Sequence, residues 1–202
     1  YQGRWDVGTG AGVAQALDPV GKADRDRINA DITFHDQISS DWDLTVQASV
    51  FDTSAESDLV LFPPGTRLPI GSDGNIGTSG GGIVTFPEGA HGNPYVYEQH
   101  VRLGADAFFH GFEDHVLRIG AGATRSELEA EETKNFGPGV IDGTEGVVDG
   151  TLTDVTGTDF IFIRPEDRNV SYAFLQDEWA FATDWKLTSG VRYDDYSDFG
   201  DT

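Results

Sequence analysis

The chain has 202 residues, with 13 Lys and Arg against 35 Asp and Glu, giving a net charge of −22 and a pI near 4.2. That balance excludes nucleic acid as a partner, since phosphate binding needs clustered Lys and Arg, and excludes a basic amphipathic helix on anionic lipid. No cysteine is present, which removes disulfide frameworks and thiolate metal sites, and no apolar run approaches the roughly twenty residues of a membrane-crossing helix.

Residues 1–26 are rich in Gly, Ala and Asp, with Asp18-Pro19 as a turn signal, and read mostly as loop; Trp5 and Val7 suit the end of a preceding strand. The run Gly8-Thr9-Gly10-Ala11-Gly12-Val13 has a glycine at the wrong spacing for a dinucleotide turn, and Asp31 falls inside a strand, so no nucleotide site is assigned. Tyr1-Gln2-Gly3-Arg4-Trp5 lacks the basic-then-apolar pattern of an export signal, so residue 1 is expected not to be the natural start.

From Arg27 the chain alternates. Ile28, Ala30, Ile32 and Phe34 form one face, and Arg27, Asn29, Asp31, Thr33 and His35 the other. After a turn over 37–41, Trp42, Leu44, Val46, Ala48 and Val50 alternate with Asp43, Thr45, Gln47 and Ser49, completing a first hairpin over about 27–50. A Gly-, Pro- and Ser-rich connection over about 53–96 follows, of a length that usually carries function.

The second hairpin, about 97–126, runs through Val101, Leu103, Ala105, Ala107 and Phe109 and returns through Leu117, Ile119, Ala121 and Ala123. Its turn, His110-Gly111-Phe112-Glu113-Asp114-His115, has zinc-ligand residue types but neither the helix nor the spacing of recognised zinc motifs, and reads as a solvated turn without a metal. A second long connection, about 131–168, leads to the third hairpin, about 169–196. The acidic groups Glu127, Glu129, Glu131, Glu132 and Asp154, Asp159, Glu166, Asp167 are oxygen donors of the kind that hold Ca²⁺, although a charged, solvated loop is the preferred reading of both. No cofactor is otherwise implied, and no Ser, His and carboxylate grouping stands in a catalytic setting.

In the third hairpin Ala173, Leu175, Trp179 and Phe181 are interrupted by Asp177, and Trp185, Leu187, Val191 and Tyr193 by Ser189. Around an Ala182-Thr183-Asp184 connection, Phe181 is expected opposite Trp185. That register sets Asp177 beside Ser189 at hydrogen-bonding range, Phe174 beside Arg192 and Glu178 beside Thr188. The three hairpins share a tight end: Phe34, Phe109 and Phe181 precede the turn, and Asp41-Trp42, Asp114-His115 and Asp184-Trp185 follow it.

The run Tyr172-Ala173-Phe174-Leu175-Gln176-Asp177-Glu178-Trp179, then Asp184-Trp185-Lys186-Leu187-Thr188-Ser189-Gly190-Val191-Arg192-Tyr193-Asp194-Asp195 and Phe199-Gly200, resembles the mid-barrel hairpin of TonB-dependent outer-membrane receptors, most closely the ferric-siderophore and colicin receptor branch. The resemblance implies an all-β fold: antiparallel up-and-down hairpins, about six strands of a barrel of roughly twenty-two, with short periplasmic turns and long extracellular loops. It implies a non-enzymatic receptor in the bacterial outer membrane that takes up a ferric siderophore or similar large nutrient. Its partners would be a plug domain of the same longer chain, an inner-membrane TonB energy-coupling complex, the ligand and outer-membrane lipid.

On this reading Phe34, Trp42, Phe109, Trp179, Phe181 and Trp185 form one membrane girdle and Tyr97, Tyr172 and Tyr193 the other. Asp31, Arg102, Asp106, Arg118, Glu178 and Arg192 face the lumen and plug, where charges of both signs are tolerated. Phe62, Tyr95, Tyr97, Phe160, Phe162, Arg164 and Arg168 are the candidate ligand contacts in the loops. Six strands cannot close around a sizeable lumen, so the 202 residues read as part of a longer barrel. A passive porin or adhesin barrel, or a soluble all-β extracellular binding module, would share the alternation.

Overall fold

In the computed structural model, which describes residues 2–8, 21–198 and 200–201, every regular element is a strand. In order these are β1 (Gln2–Gly8), β2 (Lys22–Gln37), β3 (Trp42–Phe62), β4 (Thr66–Pro69), β5 (Ile83–Phe86), β6 (Ala90–Phe109), β7 (His115–Lys134), β8 (Thr153–Asp154), β9 (Glu166–Ala182), β10 (Trp185–Tyr196) and β11 (Gly200–Asp201). One open sheet follows the path β1-β2-β3-β6-β7-β9-β10-β11, with β8 beside β7, while β4 and β5 form a separate hairpin. Pairing is antiparallel at β1–β2, β9–β10, β10–β11 and β7–β8. Of the opening stretch read as loop, Gln2–Gly8 is strand; Thr9 to Val13, Asp18-Pro19 and Phe199 lie outside the described residues.

The chain divides into two compact units. One, here the wall unit, holds 28–52, 98–127 and 166–202; the other, the loop unit, holds 1–27, 53–97 and 128–165. In the wall unit the strands follow the alternation of the sequence. The β9–β10 register sets Ser189 opposite Asp177, Thr188 opposite Glu178 and Arg192 opposite Phe174, as the pairing of exceptions requires. At the turn the register differs from expectation: Ala182, not Phe181, stands opposite Trp185, and an irregularity between Trp185 and Leu187 restores the rest. A two-residue Thr183-Asp184 turn fixes its flanking residues as partners, and a bulge absorbs the offset. Asp177 also differs. Its carboxylate meets His115 Nδ1 from β7 at 2.9 Å, so the bond expected towards Ser189 is directed to a neighbouring hairpin instead.

Both long connections contain ordered backbone. β3 continues past Val50 to Phe62, β6 begins at Ala90 and β7 extends to Lys134. Between them the loop unit builds its own core from Ile70, Val84, Phe86, Ala90, Ile141 and Val148, against which Phe62, Leu68, Ile76, Phe136 and Val140 pack. The β4–β5 register, Thr66 opposite Phe86 and Leu68 opposite Val84, places the buried rings and methyls on one face of a short hairpin.

Four local turns hold the connecting segments, each with one chemistry. Asp73 Oδ1 accepts from Asn75 N at 3.1 Å, Asp142 Oδ1 from Thr144 N at 2.8 Å, Asp149 Oδ1 from Thr151 N at 2.9 Å and Asp154 Oδ1 from Thr156 N at 2.9 Å. Each is an aspartate capping the backbone two residues on. Backbone donation holds Asp73, Asp149 and Asp154 below the ordinary carboxylate value of 3.8, and the Thr144 hydroxyl chiefly does so for Asp142. Because the folded values are depressed, the contribution of these turns is complete above 3.8 and fades as pH falls through the folded values. Near-ultraviolet circular dichroism of the intact protein should therefore stay flat from neutral pH to about the ordinary aspartate value and change only below it; Asp142→Ala should remove part of that acid response. A transition centred near pH 6 would contradict this.

Candidate functional site

The two faces of the wall unit differ in what they touch. On β3 the apolar face runs from Trp42 to Val50 and stops at Asp52, whose Oδ1 accepts from Gln99 Nε2 of β6 at 2.9 Å. On β7 the corresponding row, from Leu117 to Ala123, gives way to Arg125 and Glu127, which approach each other at 3.5 Å. The band so bounded is Trp42 to Val50 long on β3, close to the 9–11 residues that carry a tilted strand across hydrocarbon. Among the described residues no second layer covers it: Leu103 is 58% exposed, Leu187 50% and Val191 68%. A sandwich would bury these side chains under a second layer.

Aromatic rings gather at the tight-turn end of this face. Trp42 lies 4.9 Å from Phe109, which meets Phe112 edge-on at 5.0 Å. Trp179 lies 5.5 Å from Phe181 and Phe181 lies 6.4 Å from Trp185. Phe34 is exposed. Phe112 was missed in the sequence because it sits in a turn; the neighbouring Gly111 is its signal, since a Cβ there would strike the Phe109 ring at 2.4 Å. Asp114 closes the turn at a φ of 62°, in the left-handed region where Asp is enriched.

Two histidines of this end serve separate carboxylates and a third meets a threonine hydroxyl. His110 Nε2 lies 3.0 Å from Asp43 Oδ2, His115 pairs with Asp177 and stacks on Trp179 at 5.6 Å, and His35 Nδ1 meets Thr45 Oγ1 at 3.0 Å. Backbone bonds add to them: His110 N donates to Asp41 O and Ala180 N to Asp114 O, each at 2.8 Å. Among the described residues no group of three His, Asp or Glu side chains converges. Of the first acidic cluster, Glu132 is buried against Lys134 and Glu127 faces Arg125.

On the polar face, charges and rings interleave across four strands. Arg118 Nη2 approaches Asp106 Oδ2 at 3.2 Å, and its guanidinium carbon sits 5.3 Å from the Phe108 centroid and 5.0 Å from that of Phe174. Phe174 stacks on Tyr172, and Arg192 lies 4.3 Å from the Tyr172 ring while its Nη2 donates to Asp194 Oδ1 at 2.7 Å. Lys186 Nζ donates to Glu178 Oε1 at 2.5 Å. Asp31 and Arg102 are exposed on the same kind of face.

Glycine makes this layer possible. A Cβ on Gly120 would meet Asp106 Oδ1 at 2.4 Å and Phe174 Cε1 at 2.5 Å, and one on Gly122 would meet the Tyr172 hydroxyl at 2.6 Å. Gly120→Val should therefore lift Phe174 off Arg118 and cost about 1–3 kcal/mol, the usual price of overpacking. Denaturant unfolding should show the loss, and fluorescence quenching of Trp179 should stay as in the parent. An unchanged midpoint would mean the ring moves freely.

The seven loop candidates do not form one cluster. Phe62 packs against the loop unit's core. Tyr95 is exposed and Tyr97 half-buried on β6. Arg168 donates to Asp198 Oδ2 at 2.8 Å through Nε. Phe160, Phe162 and Arg164 share one short segment, with Phe162 85% exposed and Phe160 packed over Gly139.

Two buried charges hold that segment. Lys134 Nζ donates to Phe160 O at 2.5 Å, Glu132 Oε2 accepts from Phe162 N at 2.6 Å, and the two side chains pair at 3.3 Å with only 6% of each exposed. Beside them Asn135 is fully buried; its Oδ1 accepts from His91 N at 2.8 Å and its Nδ2 donates to Gly89 O and Asp149 O. Sequence reasoning placed Glu132 in a solvated cluster and passed over Lys134 and Asn135. The signal was an amide and a lone lysine amid acids, near the end of a strand.

In comparison with known proteins, residues 2–202 match the family model described as TonB dependent receptor-like, beta-barrel. No curated protein and no solved structure matches the chain.

Proposed function

Because the chain belongs to the TonB-dependent receptor β-barrel family, bacterial outer-membrane transport receptors and not enzymes, we propose that it is part of the wall and ligand-capturing loops of a receptor for energy-coupled uptake of a ferric siderophore or a similarly large, scarce nutrient. The family brings a plug, TonB and a ligand as partners in general. The observation that carries the reading is the bare apolar band of the wall unit, one strand-crossing long and edged by rings at its turn end. Only hydrocarbon makes such a surface stable, and only a closed barrel satisfies its backbone there.

In this reading Phe34, Trp42, Phe109, Trp179, Phe181 and Trp185 sit at the periplasmic interface, where amphipathic rings are favoured. The layer of Asp106, Arg118, Glu178 and Arg192, with Asp31 and Arg102, is the surface the plug meets. Ligand capture falls to the loop segments, with exposed Phe162 and Arg164 as first contacts and Tyr95 and Tyr97, on β6, as further ones.

The experiment is growth of a deletion strain under iron limitation on a panel of ferric siderophores, with and without TonB. Restoration of growth by the intact gene, only when TonB is present, supports the reading. Restoration that persists without TonB favours the passive-pore alternative.

A further inference from the structure

The His115–Asp177 pair stands where the transport reading has no use for it. The other two histidines of the tight-turn end meet Asp43 and Thr45, which belong to the polar row of β3. His115 instead opens the apolar row of Leu117 and Ile119, and Asp177 interrupts that of Leu175 and Trp179. Both carboxylate oxygens face His115 Nδ1, at 3.1 and 2.9 Å, and the ring stacks on Trp179 with 3° between the planes. The two side chains are 33% and 28% exposed. Among the described residues, His115 Nε2 and the hydroxyl of Ser189, opposite Asp177 in the register, meet no partner. Beside the pair, the same face holds a furrow of about 500 Å³, floored by Ala105, Ala121 and Ala173 between the larger Ile119, Leu175 and Val191. Leu175 neighbours Asp177 on its row, so the polar pair and the furrow are continuous.

We propose that pair and furrow together hold one phospholipid with a zwitterionic, amine-bearing headgroup, drawn from the leaflet at the tight-turn end. Asp177 lies two residues from Trp179, about 7 Å along a tilted strand from a ring that marks the interface, so the pair sits at headgroup and glycerol depth. An acid and a base set in apolar rows cost the wall stability against hydrocarbon. A headgroup carrying the opposite charges in the same order offsets that cost. Its ammonium meets the Asp177 carboxylate, and its phosphate accepts from the Ser189 hydroxyl and from His115 Nε2, which is a donor when the ring carries both protons. One acyl chain then lies in the furrow, where the alanine floor leaves room for it. A phospholipid without an amine would set its phosphate against Asp177 with no cation of its own to answer the carboxylate. The inference rests on the wall facing lipid and goes beyond the transport reading.

The test is native mass spectrometry of the intact receptor in mild detergent, incubated with equal amounts of phosphatidylethanolamine and phosphatidylglycerol of matched chains. Wild-type protein should retain one phosphatidylethanolamine, preferred about tenfold, the effect of one hydrogen bond to a charged group. Asp177→Asn, which keeps the shape, should erase the preference. Ala121→Phe, which fills the furrow on an exposed face and leaves the pair untouched, should lower retention of both lipids severalfold. Circular dichroism of both variants should match the parent. Equal retention of the two lipids by the wild type, a preference that survives Asp177→Asn, or retention unchanged in Ala121→Phe would overturn the site. So would a partner protein retained on this face in place of lipid. Failure of the lipid-facing wall itself would show separately, as equal effects of Ile119→Arg and Gln47→Arg in vesicles.

Discussion

Replacing Lys134 with alanine should cost the loop unit about 3–5 kcal/mol, the penalty for stranding one member of a buried ion pair. The partner left behind, Glu132, is as buried as the lysine, and its second oxygen accepts from Phe162 N. The substitution also strips Phe160 O of its donor. Both losses fall on the 155–162 segment, where Val155 N bonds to Glu132 O and Thr156 Oγ1 accepts from Glu132 N. Hydrogen exchange of the intact receptor should show protection lost first at Val155 to Phe162, with the wall strands unaffected. A cost below about 1 kcal/mol would match a solvent-exposed pair and refute the burial argument.

Ile119→Arg should cost about 2–4 kcal/mol in a phospholipid bilayer, the range for a basic side chain near the midplane on the lipid face of a barrel. Ile119 is central in the β7 row and 52% exposed, so the new charge extends into whatever surrounds the face and its effect reports chiefly on that solvent. Gln47→Arg, on the polar face of β3, is the matched control and should be nearly neutral. Guanidinium unfolding of protein refolded in vesicles measures both. Equal effects at the two positions would mean that the apolar band does not face lipid.

The parts of the fold legible in the sequence are those where one face meets hydrocarbon. There the contrast between rows is sharp enough that the lone exceptions, Asp177 and Ser189, locate each other across β9 and β10. The stretch from Phe51 to Phe62 lacks that contrast, with Asp52, Ser54, Glu56 and Asp58 on one row and Thr53 and Ser57 on the other. Its continuation as strand is decided by its neighbours in the sheet and not by its own pattern.

The candidate site was less legible for a related reason. Lys134, Asn135 and Glu132 owe their roles to partners far along the chain, Phe160, His91 and Phe162, which no local spacing announces. His115 was visible as a residue but not as the answer to Asp177, because β7 and β9 become neighbours only through a long connection.

The bonds that join one tight turn to the next, His110 to Asp41 and Ala180 to Asp114, also set an order of assembly. A hairpin can complete its rim only against a predecessor already in position, so the wall should grow hairpin by hairpin, each seated turn acting as the template for the one that follows.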